Sequence, residues 1–149
     1  MWVVDTCIVL DVLEHDPVFG RPSAELLQKL LPQRLTICPV TMVELSAAFS
    51  GDLAEQKRFL DQAGIAYGEP WTAADTEQAC SAWNTYVAAK RQARAAKRPV
   101  ADILIGGFAA NRTGLVTRNP RDFTRWFPHL KLQEPSGRSK PQLREQPQL

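Results

Sequence analysis

Short β-branched segments alternate with longer helical segments along this chain, and this alternation limits its fold more than any other feature. Strand-like patterns occur at residues 3–4, 35–38, 65–67 and 115–117, with a further edge strand predicted at 130–132. Strands separated by helices pair side by side in parallel and need helices on both faces of the sheet. We therefore predict an α/β fold, a three-layer sandwich with a mainly parallel central sheet flanked by helices.

The length and composition of the chain indicate one folded domain followed by a polar tail. The chain has 149 residues, of which 44% are hydrophobic and 23% are charged, as in ordinary globular proteins. We predict a folded domain over residues 1–132 and a flexible tail over 133–149, where Pro, Gln, Ser and basic residues dominate. Three widely spaced cysteines, without a basic leader or a long apolar stretch, favour a cytoplasmic protein with no membrane association.

Four acidic residues lie at strand-to-helix junctions or near helix starts. They are Asp5, Glu44, Asp102 and Asp122. Asp5 directly follows the first strand, at the end of an open α/β sheet where ligands bind, and Thr6 is predicted to cap the next helix. Glu44 and Asp102 have apolar neighbours, among which an unpaired charge is costly. Each acid also has a simpler interpretation, as a solvent-facing residue, a helix cap or a turn residue.

A cluster of these acids would have a chemical use. Ionised carboxylates that lie close together repel one another and require a cation. Oxygen ligands without thiolates or imidazoles favour Mg²⁺ or Mn²⁺. Such a site can hold phosphate oxygens, activate a water molecule and stabilise a leaving oxygen. The acids therefore indicate Mg²⁺- or Mn²⁺-dependent chemistry on a phosphate.

Four short motifs, in this order, resemble those of the PIN-domain ribonucleases. The motifs are VVDTCIVLDVL, PVTMVELS, ADILIGGFA and LVTRNPRDF, and together they span about residues 3–132. Within the family, the sequence is most similar to the VapC-type toxins of bacterial toxin–antitoxin pairs. The resemblance implies a PIN-like fold, Mg²⁺- or Mn²⁺-dependent cleavage of RNA by water, and a cognate antitoxin protein that covers the pocket. Apolar surface on the first helices would suit a homodimer or a segment of the antitoxin.

The resemblance also implies roles for particular residues. The catalytic acids that it implies are Asp5, Glu44, Asp102 and Asp122. The metal ligands that it implies are Asp5, Asp102, Asn119 and Asp122. Thr6 and Thr117 are similar to the hydroxyl positions that support the first acid. Related toxins vary at the fourth acidic place, and Asn119 keeps an oxygen there but lacks the charge. This departure predicts one firmly held metal ion, with a second recruited together with the substrate phosphate.

Basic residues flank two of the acids and are predicted to contact RNA phosphates. On a helix leading to Asp102, one side carries Arg94, Lys97 and Arg98. Near the fourth acidic place lie Arg118 and Arg121. Cations beside an acidic site would offset the repulsion between RNA and carboxylates. A solvated helix face explains the first group equally well, and the net charge of +2 favours neither interpretation.

Other functions remain as alternatives. The main one is a non-catalytic RNA-binding or regulatory module of the same fold, in which Asn119 marks a degenerate site. A phosphatase with an aspartyl nucleophile is disfavoured, because Cys7 stands where a second Asp is expected. A dinucleotide-binding domain is disfavoured as well, because no Gly-x-Gly-x-x-Gly motif follows the first strand.

Overall fold

One parallel sheet forms the centre of the molecule. The structure is a computed structural model, and it describes residues 1–92 and 99–136. The strands found in these ranges are β1 (Trp2–Val4), β2 (Leu35–Thr36), β3 (Ile65–Ala66), β4 (Gly114–Val116) and β5 (Leu132–Gln133). Their order in the sheet is β3-β2-β1-β4-β5, and every neighbouring pair is parallel. The predicted α/β class and parallel sheet are confirmed.

Seven α-helices connect or follow these strands in the described ranges. They are α1 (Thr6–Leu13), α2 (Gly20–Leu30), α3 (Pro39–Leu45), α4 (Leu53–Ala63), α5 (Ala73–Gln92), α6 (Val100–Ala110) and α7 (Arg121–Thr124). Single-turn 3₁₀ helices at Leu31–Gln33 and Ser46–Phe49 extend α2 and α3. Among the described residues, none of the helices combines the length and the apolar character needed to cross a membrane.

Helices cover both faces of the sheet. Successive side chains of β1 point to opposite faces, and each face packs in its own apolar cluster. Trp2 and Val4 pack in a buried apolar cluster that includes side chains of α1, α2, α3 and α4. Val3, between them, packs in a second cluster with Phe108 of α6 and Leu115 of β4. The sheet is therefore the middle of three layers, as predicted.

Two consecutive glycines let α6 pack closely against its neighbours. A Cβ atom on Gly107 would lie 3.0 Å from the Cβ of Ala79, so glycine permits the close approach of α5 to α6. A Cβ atom on Gly106 would overlap the ring of Phe127. The glycines thus permit close packing of α6 against α5 and Phe127, while Phe108 of the same helix shares a buried cluster with Val3 of β1.

The strands predicted at 35–38, 65–67 and 115–117 differ from β2, β3 and β4 by one or two residues at their ends, and two further local predictions are wrong. The cap of α1 is Asp5, not Thr6: Asp5 has an extended backbone, and its side chain accepts a hydrogen bond from the backbone N–H of Thr6. The last strand is Leu132–Gln133 and not 130–132, because the backbone N–H of Thr117 donates to the carbonyl of Gln133. Ordered pairing thus extends one residue past the predicted boundary at 132, while residues 137–149 lie outside the described residues.

Candidate active site

The strand order reverses between β1 and β4, and the region at the carboxyl ends of these two strands is here called the crevice. From β1 the chain moves to β2 and β3 on one side of the sheet, and then returns to β4 and β5 on the other. Open α/β sheets bind ligands at such a reversal. Asp5 directly follows β1, and Thr117 directly follows β4, 112 positions later. The crevice therefore lies beside the first acid that the sequence singles out.

Asp5 is buried, with only 6% of its surface exposed, and both of its carboxylate oxygens accept hydrogen bonds. Oδ1 accepts from the backbone N–H of Thr6 at 2.8 Å. Oδ2 accepts from the Thr117 hydroxyl at 2.8 Å and from the Cys7 thiol at 3.3 Å. Burial raises the pKa of Asp5, the hydrogen bonds oppose that rise, and the negative charge of Glu44 adds to it. The net direction is upward, so a nearby cation would stabilise the ionised carboxylate.

Glu44, on α3, is hydrogen-bonded to the hydroxyl of Thr6, which also contacts the hydroxyl of Thr41. The Thr6 hydroxyl donates to Oε1 of Glu44 at 2.8 Å, and its oxygen lies 3.0 Å from the hydroxyl of the fully buried Thr41. Because each hydroxyl has one proton, Thr41 acts as the donor to Thr6. Pro39 in the first turn of α3 starts the helix here, and residues three apart, such as Thr41 and Glu44, share one helix side. Glu44 is exposed and can meet a ligand.

The turn after β4 carries the fourth acidic place. Thr117 is fully buried, and while it donates to Asp5 it accepts from the backbone N–H of Asn119 at 3.1 Å. The side chains of Asn119 and Asp122 are both exposed, and the backbone N–H of Asp122 donates to the carbonyl of Asn119 at 3.1 Å. The turn therefore orients the Thr117 hydroxyl toward Asp5 and leaves the side chains of Asn119 and Asp122 at the surface.

Asp102 lies in the first turn of α6 and is half-buried. This helix contacts both β1 and α3, so it borders the crevice. Within residues 1–92 and 99–136, no group of three or more His, Cys, Asp or Glu side chains is arranged to hold a metal ion. The described side chains join Asp5 to Glu44 through Thr6, and convergence of all four predicted acids on one cation stays a prediction.

The carboxylate oxygens at the crevice suit a cation that takes few of its ligands from the protein. Mg²⁺ usually keeps several waters and binds one or two carboxylates together with substrate phosphates. Asp5 and Glu44 supply carboxylate oxygens, and a carboxylate oxygen that accepts one hydrogen bond retains a further acceptor position. Both groups are hard oxygen ligands, as Mg²⁺ and Mn²⁺ prefer.

The predicted RNA contacts differ in their surroundings. Arg118 is held by protein: its Nε lies 3.0 Å from Oδ2 of the buried Asp11, and its guanidinium carbon lies 4.8 Å from the ring centre of Phe19. Arg121 is exposed in the first turn of α7. The remaining predicted contacts lie outside the described residues and are Arg94, Lys97 and Arg98.

Sequence reasoning missed three residues that the structure brings to this region. Cys7 donates to Asp5, Thr41 supports Thr6, and Asp11 pairs with Arg118. Two of them carried a usable signal. Asp11 is a charged residue within an apolar helix, the same pattern that drew attention to Glu44. Thr41 precedes Glu44 by three positions and therefore shares its helix side.

A second, apolar cavity of about 620 Å³ lies between α5 and α6. Trp71, Trp83 and Ile103 are among the residues that line it, and none of the candidate acids does so. Its chemistry does not match that of the crevice, where the polar side chains converge.

Comparisons with protein-family models, with curated proteins and with solved structures found no match to this chain. Function is therefore inferred from the motifs and from the geometry of the site. That geometry combines a buried acid at the sheet reversal, a second acid that shares Thr6 as a hydrogen-bond donor with the first, and an arginine held by Asp11.

Proposed function

We propose that the protein is a metal-dependent endoribonuclease with a PIN-like fold, and that it acts as the toxin of a toxin–antitoxin pair. The observation that carries this proposal is the buried carboxylate of Asp5 at the sheet reversal, hydrogen-bonded by Thr117 and close to the charge of Glu44. The four motifs that resemble PIN-domain ribonucleases, in their order along the chain, support the same activity.

Hydrogen bonds within the chain assign distinct tasks to the side chains of the crevice. Asp5 and Glu44 would hold the cation, and the backbone N–H of Thr6 and the hydroxyl of Thr117 fix the orientation of the Asp5 carboxylate. The Thr6 hydroxyl orients Glu44 in the same way. When bound, Mg²⁺ or Mn²⁺ supplies Lewis acidity toward the RNA phosphate and makes a water molecule more acidic.

The other predicted residues complete the proposal. Asp102, in the first turn of α6, is the third acid, and Asn119 and Asp122 occupy the fourth acidic place. The substrate is RNA, and a cognate antitoxin protein covers the acids when cleavage is not needed. A homodimer in the cytoplasm is the proposed form of the toxin.

The test compares the wild type with Asp5→Asn. Both proteins, purified free of any antitoxin, are incubated with total cellular RNA in Mn²⁺ or in EDTA. We expect discrete cleavage by the wild type in Mn²⁺ alone, and a loss of at least about a hundredfold in Asp5→Asn, because the cation loses a charged ligand. Asp61→Asn is the matched control, since Asp61 is exposed on α4 and outside the crevice.

Each other outcome has a definite meaning. Cleavage that persists in EDTA or in Asp5→Asn contradicts the proposal, because the activity would then come from another site or another protein. Metal-independent RNA binding without cleavage would instead favour the non-catalytic RNA-binding module, the alternative raised by Asn119.

A further inference from the structure

Asp11 is a buried acid that the proposed reaction does not use. It lies on α1, within a helix of otherwise mostly apolar residues. A buried charge is costly unless it is paired. Its partner is Arg118, whose Nε lies 3.0 Å from Oδ2 of Asp11. The two atoms are at ion-pair distance without hydrogen-bond alignment, so the contact is mainly electrostatic.

Stability alone is a weak explanation for this pair. Replacing a buried ion pair with apolar residues of similar volume is often neutral or stabilising, because both charges lose their hydration. The pair also links α1 to the turn after β4, two segments that are distant in sequence. The ion pair therefore fixes the direction of the Arg118 guanidinium.

Arg118 is held on two sides and remains accessible on the others. The ring of Phe19 lies under its guanidinium, with 4.8 Å between the carbon and the ring centre. Its side chain keeps 33% of its surface exposed, and its charge also interacts with the carboxylate of Asp16. A planar guanidinium in this state is suited to bind a phosphate through two parallel hydrogen bonds.

The position of Arg118 in the chain adjoins the crevice. Arg118 directly follows Thr117, the donor to Asp5, and directly precedes Asn119. Asp11 lies six residues after Asp5 on α1, roughly 9 Å along the helix at 1.5 Å per residue. Asp11 therefore holds the guanidinium roughly one and a half helix turns from Asp5, at a separation suited to a neighbouring phosphate of a strand bound at the crevice.

We propose that Asp11 is a positioning residue, which holds the Arg118 guanidinium so that it binds an RNA phosphate flanking the one that is cleaved. The inference rests on the proposed ribonuclease activity and adds how the substrate strand is held. It predicts that Asp11 affects RNA binding through Arg118, and that the chemical step is largely independent of both residues.

The first measurement is a double-mutant cycle on RNA binding. The variants Asp11→Asn, Arg118→Gln and their combination are made in the Asp5→Asn protein, and a fluorescent single-stranded RNA of mixed sequence is titrated by anisotropy. We expect each single change to raise Kd about tenfold, the scale of one lost charge-assisted contact. The combination should equal Arg118→Gln alone, because Asp11 acts only through that residue.

A salt titration separates positioning from a merely structural role. Each phosphate contact on a single strand contributes about 0.7 to the slope of log affinity against log salt. Both Asp11→Asn and Arg118→Gln should lower that slope while the protein stays folded. Phe19→Leu, which removes the ring and leaves the ion pair, should give a smaller rise in Kd, and it provides a test if Asp11→Asn does not fold.

Glu25→Gln is the matched control, because Glu25 forms an exposed ion pair with Arg21 at the same 3.0 Å distance. It should leave Kd and the salt slope unchanged. In the protein with Asp5 intact, Asp11→Asn should raise KM for RNA and leave kcat within about twofold. If the wild type cleaves RNA and Asp11→Asn leaves KM, Kd and the salt slope unchanged, this inference is overturned and the nuclease proposal stands. If the wild type neither cleaves nor binds RNA, both are overturned.

Discussion

Asp5 carries its charge in a place where burial opposes ionisation. Because the pKa of Asp5 is raised in the folded protein, the folded state binds this proton more tightly than the unfolded chain does. Ionisation of Asp5 therefore lowers the free energy of unfolding as the pH rises. The loss begins near the ordinary carboxyl pKa and is complete above the raised pKa of the folded state. The hydrogen bonds from Thr6, Cys7 and Thr117 limit that loss.

Thr117→Val tests the strongest of these contacts at the scale of a single residue. Valine keeps the shape of the side chain and removes the hydroxyl that donates to Asp5 at 2.8 Å. The pKa of Asp5 should rise further, so the acidic limb of the pH–rate profile for RNA cleavage moves to higher pH. The free energy of unfolding at pH 7 should fall by about 1–2 kcal/mol.

The check on Thr117→Val combines a pH–rate profile with urea unfolding. Thr85→Val is the control, because the Thr85 hydroxyl is exposed on α5 and bonds only the carbonyl of Ser81. An acidic limb that stays at the wild-type pH in Thr117→Val would mean that this hydroxyl does not set the protonation of Asp5.

At the scale of the element, α6 packs against the sheet, against α5 and against the segment after α7. Its buried residues include Ile105 and Phe108, and its glycines remove the side chains that would keep these neighbours apart. Pro99 and Asn111 flank this helix, and such local signals make its bounds, Val100–Ala110, predictable from the sequence. The reason for its two glycines became clear only from the tertiary contacts.

Gly106→Ala should destabilise the protein through this packing. The added methyl group would overlap the buried ring of Phe127, and such overpacking costs roughly 1–3 kcal/mol. This exceeds the gain of about 0.5–1 kcal/mol from placing alanine in a helix. Urea unfolding measures the difference. Gly68→Ala is the control, since no atom lies within 4 Å of its added methyl group. A Gly106→Ala protein as stable as the wild type would refute this packing argument.

At the scale of the whole molecule, a buried polar network joins the start of α5 to the turn between α6 and β4. Asp75 is fully buried, and it accepts hydrogen bonds from Arg112 at 3.1 Å and from Asn111 at 2.9 Å. Arg112 also stacks on Phe108, with 3.5 Å between its guanidinium carbon and the ring centre. The backbone N–H of Thr72 donates to the same carboxylate, which also caps α5. Burial alone would raise the pKa of Asp75, but these hydrogen bonds hold it below its usual value.

Asp75→Asn should therefore destabilise the whole fold in a pH-dependent way. At pH 7 the loss should be about 1.5–3 kcal/mol, because the buried Arg112 loses its charge-assisted hydrogen bonds to Asp75 and keeps Glu69, whose Oε1 lies 3.3 Å from its Nε, as its charged partner. A lowered pKa contributes stability above the ordinary carboxyl value of about 4, and that stability is lost as the pH falls through the lowered value. The gap between Asp75→Asn and the wild type should shrink in acid.

Thermal unfolding between pH 3 and pH 7 checks this prediction for Asp75. Glu25→Gln in the exposed ion pair with Arg21 should leave Tm unchanged across the range, because exposed pairs contribute little. A gap between Asp75→Asn and the wild type that stays constant with pH would contradict the assigned role of the carboxylate.

The sequence by itself determined the α/β class, the alternation of strands and helices, and the bounds of helices with strong end signals. For α4, Asp52 caps the start and Gly64, with a positive φ of 71°, ends the helix, and both signals are local. Local signals succeed here because capping and backbone conformation depend on neighbours along the chain.

Only the tertiary structure decided which distant side chains meet. Thr117 lies 112 positions from Asp5, and their contact depends on β1 and β4 being neighbours in the sheet. The same sheet order brings Arg118 to Asp11, and the Thr6 hydroxyl, expected to cap α1, points instead to Glu44. These contacts depend on strand order, register and the direction of each side chain, which the packing of the whole chain sets and which no short stretch of sequence encodes.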